Sequence, residues 1–141
     1  VIGSWTLSQD SFLRSAGGNS EGVTMPLTFV EAGAHGPRAR RFLEAYHAKF
    51  AEKPIAVAVA AAQGYDSLYL LKAAFEQAGR TDGPAVKAAL EHLAGPFEGV
   101  TGTYPRPFSP TDHEAVKPAQ VVMGHVRAGT VLPPALAGSA P

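Results

Sequence analysis

The stretch from Gln63 to Gly102 constrains this chain more than any other, because two helical patterns follow one another there with their start and stop residues in place. Tyr65, Leu68, Tyr69, Leu71, Lys72 and Phe75 recur at spacings of three and four. That period predicts a helix from near Ala60, firm from Tyr65, with one continuously apolar face. Gly79 sits where a left-handed C-terminal cap is expected, and Asp82 with Pro84 opens a second helix to about Leu93. In that helix Val86, Leu90 and Leu93 read as inward, while Lys87 and Glu91, four apart, read as outward. The pair forms an αα hairpin. Phe97-Glu-Gly-Val-Thr-Gly follows, too rich in glycine for a helix and suited to a chain turning into an extended segment.

Upstream, residues 1 to 8 read as a short strand end and loop. Asp10 to Ala16 reads as a short helix capped by Asp10 or Ser11 and stopped by Gly17-Gly18. Val23 to Val30, VTMPLTFV, is β-prone, so Pro26 must lie at an edge or a bulge. After a loop at Ala32 to Gly36, a helix is expected from Pro37 to about Glu52, with Phe42, Tyr46 and Phe50 as a core-packing stripe. Ile55 to Ala62, IAVAVAAA, is too short and alanine-rich for pattern alone to choose between strand and helix. Beyond Gly102, Pro105, Pro107, Pro110 and Pro118 rule out a long helix. Gln120 to Val126 reads as a strand, with Gly129 to Leu132 returning through Arg127-Ala128. From Pro133 onward the composition is of low complexity and predicts disorder.

Catalytic patterns are not evident in the sequence. It contains no Gly-x-Ser-x-Gly elbow, no Walker phosphate loop and no dinucleotide-binding glycine fingerprint. Asp112-His113-Glu114 is the best metal candidate, but adjacent loop residues rarely converge on one ion, and a solvated turn is expected instead. His35, His47, His92 and His125 are dispersed and read as surface or boundary residues. Asp66 reads as a cap at the start of its helix. Twelve basic and twelve acidic side chains balance to zero, without a basic stripe interleaved with aromatics, so nucleic-acid binding is not expected. Arg38, Arg40 and Arg41 read as the solvated start of a helix. Without cysteine there is neither disulfide nor thiolate chemistry.

The order Gly64-Tyr-Asp, apolar helix, Thr-Asp turn, second helix and Phe-Glu-Gly-Val-Thr-Gly exit resembles the C-terminal part of the periplasmic substrate-binding proteins for branched-chain amino acids. Further stretches are similar to the same family: Ala16-Gly-Gly-Asn-Ser-Glu-Gly-Val, Arg41-Phe-Leu-Glu-Ala-Tyr-His-Ala-Lys-Phe, Pro107-Phe-Ser-Pro-Thr-Asp-His-Glu-Ala and Lys117-Pro-Ala-Gln-Val-Val. Together they span Ile2 to about Val131. The resemblance implies an α/β chain, a fragment of the two-lobe type I periplasmic-binding fold with helices packed on a small sheet.

It also implies a division of the chain. Residues 1–55 would belong to the second, C-terminal lobe, 56–63 to the hinge crossing and 64–97 to a helical pair of the first lobe. Residues 98–132 would form the return segment and terminal strands, and 133–141 the tail. Members of the family are more than twice as long, so a C-terminal fragment is expected, and its helical pair, lacking most of its partners, is expected to self-associate.

The function implied is that of the extracytoplasmic, periplasmic solute-binding component of an ABC importer. It would capture a branched-chain amino acid or a related small carboxylate or amide by lobe closure and pass it to the permease. No enzyme activity and no cofactor are implied. A ligand-sensing or regulatory module on the same fold is the alternative. Gly3-Ser4-Trp5-Thr6 falls where the family's amino-acid binders carry an acidic residue for the ligand's ammonium. Ser4 and Trp5 are therefore candidate ligand contacts, with Ala60 and Gln63 near the hinge crossing. An indole offers a donor, an apolar face and weak cation–π attraction in place of a charge, which suits an aromatic or extended apolar solute. Packing of Trp5 in a loop beside the site is the other reading.

Overall fold

A computed structural model of the chain describes residues 1–51 and 53–137. The chain forms two compact units, one of Val1–Ala62 with Val121–Pro141 and one of Gln63–Gln120.

The first unit is built on a sheet of order β1-β4-β5, with β1 Thr24–Leu27, β4 Val122–Arg127 and β5 Thr130–Leu132, both pairings antiparallel. Residues 1–3 lie along β1 in the parallel sense: the Thr24 amide donates to the Val1 carbonyl at 2.9 Å and the Gly3 amide donates to the Thr24 carbonyl at 3.1 Å. Backbone groups two residues apart in a strand point the same way, so the nitrogen of Pro26 faces the Val1–Gly3 side, just past the point where that segment leaves the sheet. Pro26 thus sits at an edge, where its missing N–H costs no ladder bond. Arg127 pairs with Thr130, so the hairpin turns on Ala128 and Gly129, one residue later than the sequence suggests. Both have positive φ, 46° and 72°, the backbone of a two-residue type I′ turn.

Val23, Met25 and Leu27 alternate onto one face and join Val30, Val59 and Val126 in the core, with Leu7, Phe12, Leu13 and Val131 packed against it. Met25 and Val126 are fully buried. Gly124 lies where a Cβ would come within 2.5 Å of Leu27 Cδ1, so a larger residue there would have to push the Leu27, Val131 and Met25 side chains aside. Helix α1, Asp10–Ala16, has the expected span, but its N-cap is Gln9 in place of Asp10 or Ser11, and Asp10 instead forms an ion pair with Arg14 at 2.5 Å.

Helix α2, Pro37–Phe50, ends in a left-handed cap at Ala51, before the expected Glu52, which lies outside the described residues. Its aromatic stripe is core only at one end. Phe42 is buried and meets Phe29 edge-on at 5.9 Å, whereas Phe50 is 52% exposed. A single turn, α5 Pro134–Ala137, stands where disorder is expected; it packs on β4, and Leu136 N donates to Pro133 O at 3.0 Å. The remainder of the expected disordered tail lies outside the described residues.

Helix α3 runs from Ala58 to Ala78, and the second unit begins within it at Gln63. The alanine-rich stretch before Ala60 is thus helical from Ala58. Gly79 has the left-handed φ of a C-terminal cap, 63°. Helix α4, Gly83–Glu91, is opened by Asp82, whose carboxylate accepts from Ala85 N at 3.2 Å, and ends two residues short of Leu93. Gln77 on α3 satisfies the far end of α4, donating to the His92 carbonyl at 2.9 Å and accepting from Ala94 N at 2.9 Å.

The stripe α3 buries is Ala62, Asp66, Leu70 and Ala74, every fourth residue, whereas Leu68, Tyr69, Leu71 and Phe75 on the periodic apolar face are exposed. Glu91, read as outward, is also buried. It accepts from Lys87 at 2.6 Å and from His113 at 2.9 Å, which compensates the carboxylate. The exit segment is a short hairpin of β2 Phe97–Glu98 and β3 Thr103–Tyr104, joined by the four residues 99–102. Among the described residues no helix is long and apolar enough to cross a membrane.

Candidate functional site

The chain leaves the sheet at Gly3 and enters a short 3-10 turn, Trp5–Ser8. Because residues 1–3 run parallel to β1, this turn stands at the carboxyl end of the segment. The turn is held from within. Ser4 Oγ and Thr6 Oγ1 lie 2.5 Å apart, and Ser8 Oγ donates to the Trp5 carbonyl at 2.7 Å. Leu7 is pressed so closely on Gly3 that a Cβ there would meet its Cδ1 at 2.2 Å. With Leu7 directed to the core, Trp5 is left 40% exposed on a fixed backbone, and Ser4 beside it is exposed. The turn presents hydroxyls and an indole and carries no charged side chain.

Ala60 and Gln63 lie three residues apart on α3. Ala60 is exposed, and Gln63 borders a cavity of about 260 Å³ in the second unit with Asp66, Leu70, Tyr104 and Phe108. Ser4 and Trp5 thus share one turn, and Ala60 and Gln63 share one helix. In the first unit a cavity of about 190 Å³ opens beside Leu13, Leu27, Val30 and Val131. Glu31, directly after β1, borders it and holds two neighbours, with Oε1 3.0 Å from His47 Nε2 and Oε2 accepting from Ile55 N at 2.8 Å. Sequence reasoning passed over Glu31, a single carboxylate in a loop with no spacing to mark it.

The most densely bonded polar group of the second unit is Asp66. In the interior of α3 it cannot cap the helix start. Its carboxylate accepts from Val100 N at 2.6 Å, Thr101 N at 3.0 Å, Thr101 Oγ1 at 2.6 Å and Tyr104 Oη at 3.1 Å. Gly99 comes so near that a Cβ would stand 2.5 Å from Asp66 Oδ2. The exit segment therefore wraps the buried Asp66 side chain, and that contact accounts for Gly99, whereas Gly102 has a positive φ of 150°.

Burial pushes the Tyr104 phenol up to about 12, and the Asp66 carboxylate adds to the rise, against a hydrogen bond from Thr101 that lowers it. The raised value means that the neutral phenol contributes fully below pH 10 and that its contribution is lost as pH climbs to about 12. Stability is expected to fall across that window, with one of the four tyrosines forming its phenolate last. Ultraviolet titration with all four ionised well below pH 12 would contradict it.

The residues around Asp112 are engaged locally. The Asp112 carboxylate is held below its usual range by Lys117, 2.5 Å away, and by the Glu114 amide. His113 turns to Glu91, so Asp112, His113 and Glu114 diverge. Lys87 and then His113 lower Glu91 in turn.

Residues 1–129 match a protein family described as periplasmic binding protein. Among solved structures, the chain is similar to the leucine binding protein LivK of Thermotoga maritima, at 23% identity and TM-score 0.76, over 94% of this chain and 35% of that one. It is similar to the branched-chain amino acid transporter substrate binding protein LivJ of Streptococcus pneumoniae, solved in complex with isoleucine, at 26% identity and TM-score 0.73, over 94% and 37%. A solute binding protein of an ABC transporter from Rhodopseudomonas palustris, in complex with benzoate, matches at 20% identity and TM-score 0.67, over 86% and 31%. A search of curated proteins gives no match. The chain therefore has the fold of a part of these proteins and spans about a third of their length.

Proposed function

We propose, from the premise that this chain belongs to the periplasmic binding protein family, that the full-length protein captures a small solute in the periplasm and hands it to an ABC permease. No bond is made or broken in such work. Solute and protein exchange water for fixed hydrogen bonds and apolar contact, and lobe closure is one linked equilibrium with binding. We assign residues 1–55 to the second lobe, 56–63 to the hinge crossing, 64–97 to the first lobe and 98–132 to the return. One boundary between the two compact units, after Ala62, falls inside the assigned crossing, while the other, after Gln120, falls within the assigned return.

The observation that carries the reading is the Trp5 turn. An exposed indole on a backbone fixed by Leu7 and Ser8, at the carboxyl end of a strand segment, is a surface built to be covered. Ser4 and Trp5 contact the solute from this side, and Ala60 and Gln63 from the crossing. The solute is a branched-chain amino acid or a related small carboxylate or amide. Both an isoleucine and a benzoate complex exist among the structures this chain resembles. With an indole and hydroxyls where an ammonium would seek a carboxylate, solutes with an aromatic or extended apolar group are favoured.

Calorimetric titration of the full-length protein with leucine, isoleucine and benzoate tests this. Trp5→Ala is expected to weaken the best of these ligands by about tenfold or more, roughly 1.4 kcal/mol. Unchanged affinity in the variant would remove Trp5 from the site, and no binding by any small carboxylate, amino acid or amide would remove the solute-capture reading itself.

A further inference from the structure

We propose that the 190 Å³ cavity of the first unit is a second binding site, for a small uncharged apolar molecule of about the size of a benzene ring. It lies outside the solute contacts, since Ser4, Trp5, Ala60 and Gln63 do not line it. Apolar side chains form most of the wall, among them Leu13, Leu27, Phe29, Ile55 and Val131. The space exists because several bordering positions are small: Ala32, Ala58 and Gly129 extend little or nothing into it.

Beside the neutral hydroxyl of Thr130, the polar side chains on its border are Ser8, Asp10 and Glu31, and these three already have partners. Asp10 is paired with Arg14 at 2.5 Å, Glu31 with His47 at 3.0 Å and with the Ile55 amide at 2.8 Å, and Ser8 Oγ with the Trp5 carbonyl at 2.7 Å. A charged ligand would have to displace one of these bonds, whereas a neutral apolar one gains contact without breaking any. One wall is also tied: Glu31 links the segment at Ile55 to α2, which opposes collapse of the space on that side. An apolar cavity of about 150 Å³ is known to take benzene or xenon, so this volume is sufficient.

Benzene added to the full-length protein, with leucine and valine methyl groups labelled for NMR, tests the site. Saturable shifts are expected at the methyls of Leu13, Leu27 and Val131, with the Trp5 indole proton unmoved. Ala58→Leu places a larger side chain in the space and is expected to weaken benzene binding by tenfold or more. Ala32→Leu, at an exposed border position, serves the same purpose should the first variant not fold. Shifts that fail to saturate, that appear at Trp5 in place of the cavity methyls, or that persist unchanged in the filled variant would overturn the assignment.

Discussion

Asp66→Ala is expected to destabilise the second unit by about 3 to 4 kcal/mol, the largest effect of any single change to a polar side chain in this chain. Four donors converge on that carboxylate, and the Val100 amide among them is buried. Once the acceptor is gone, Val100 N–H has neither water nor protein to bond, and an unsatisfied buried donor costs roughly 1 to 3 kcal/mol by itself. Asp66→Asn should cost less, about 1 to 2 kcal/mol, because the Thr101 and Tyr104 hydroxyls can rotate to accept from the new amide. Gly99→Ala drives a methyl against the same carboxylate and the Tyr104 ring and is expected to cost about 1 to 3 kcal/mol through overpacking. Urea denaturation of the three variants gives the ranking. An Asp66→Ala protein within about 0.5 kcal/mol of the parent, the range of ordinary surface substitutions, would show that the exit loop is held by something else.

The isolated chain is expected to self-associate. On α3, Leu68 is 69% exposed, and Tyr69, Leu71 and Phe75 are 38 to 40% exposed, all within two turns of one helix. A contiguous apolar patch of this kind is seldom left to water in a monomer, and burying it is worth about 25 cal/mol per Å². Sedimentation velocity at micromolar concentration should show species above the 14.7 kDa monomer, growing with concentration. Leu68→Lys combined with Phe75→Glu should return the chain to a monomer. A compact monomer of the unaltered chain across that range would refute the expectation.

How much of this could be read in advance depended on the kind of signal. Helix ends marked by local chemistry were legible: Gly17 after α1, Gly79 after α3, and Asp82 with Pro84 before α4 act through their own backbone or nearest amides. The fold class followed from the order of such segments. The start of α3 at Ala58 was not legible, because alanine and valine alternating without larger residues give no period to follow. Periodicity also found an apolar face on α3 but not its neighbour. The helix buries Ala62, Leu70 and Ala74, while Leu68, Leu71 and Phe75 remain outside.

Long-range polar contacts were the least visible. Asp66 meets donors 34 to 38 residues away, Glu91 meets His113, and Glu31 meets Ile55, and nothing in the spacing of these residues announces the pairing. For the candidate site, the sequence singled out Trp5 and Ser4 through resemblance. The parallel lie of residues 1–3 on β1, which gives the turn its position, could only come from coordinates.

Pro26 has a role in that position. By withholding the hydrogen that a neighbouring strand would need next, it acts as a punctuation mark for a different part of the chain. The segment beside it must stop at Gly3, and residues 4 to 6 are released to form the turn rather than zipping onward along β1. A residue with a free N–H at position 26 would let the ladder lengthen and draw Trp5 into it as one more strand residue. The placement of the indole is thus encoded twice, once at Trp5 and once, remotely, by the absence of a single proton.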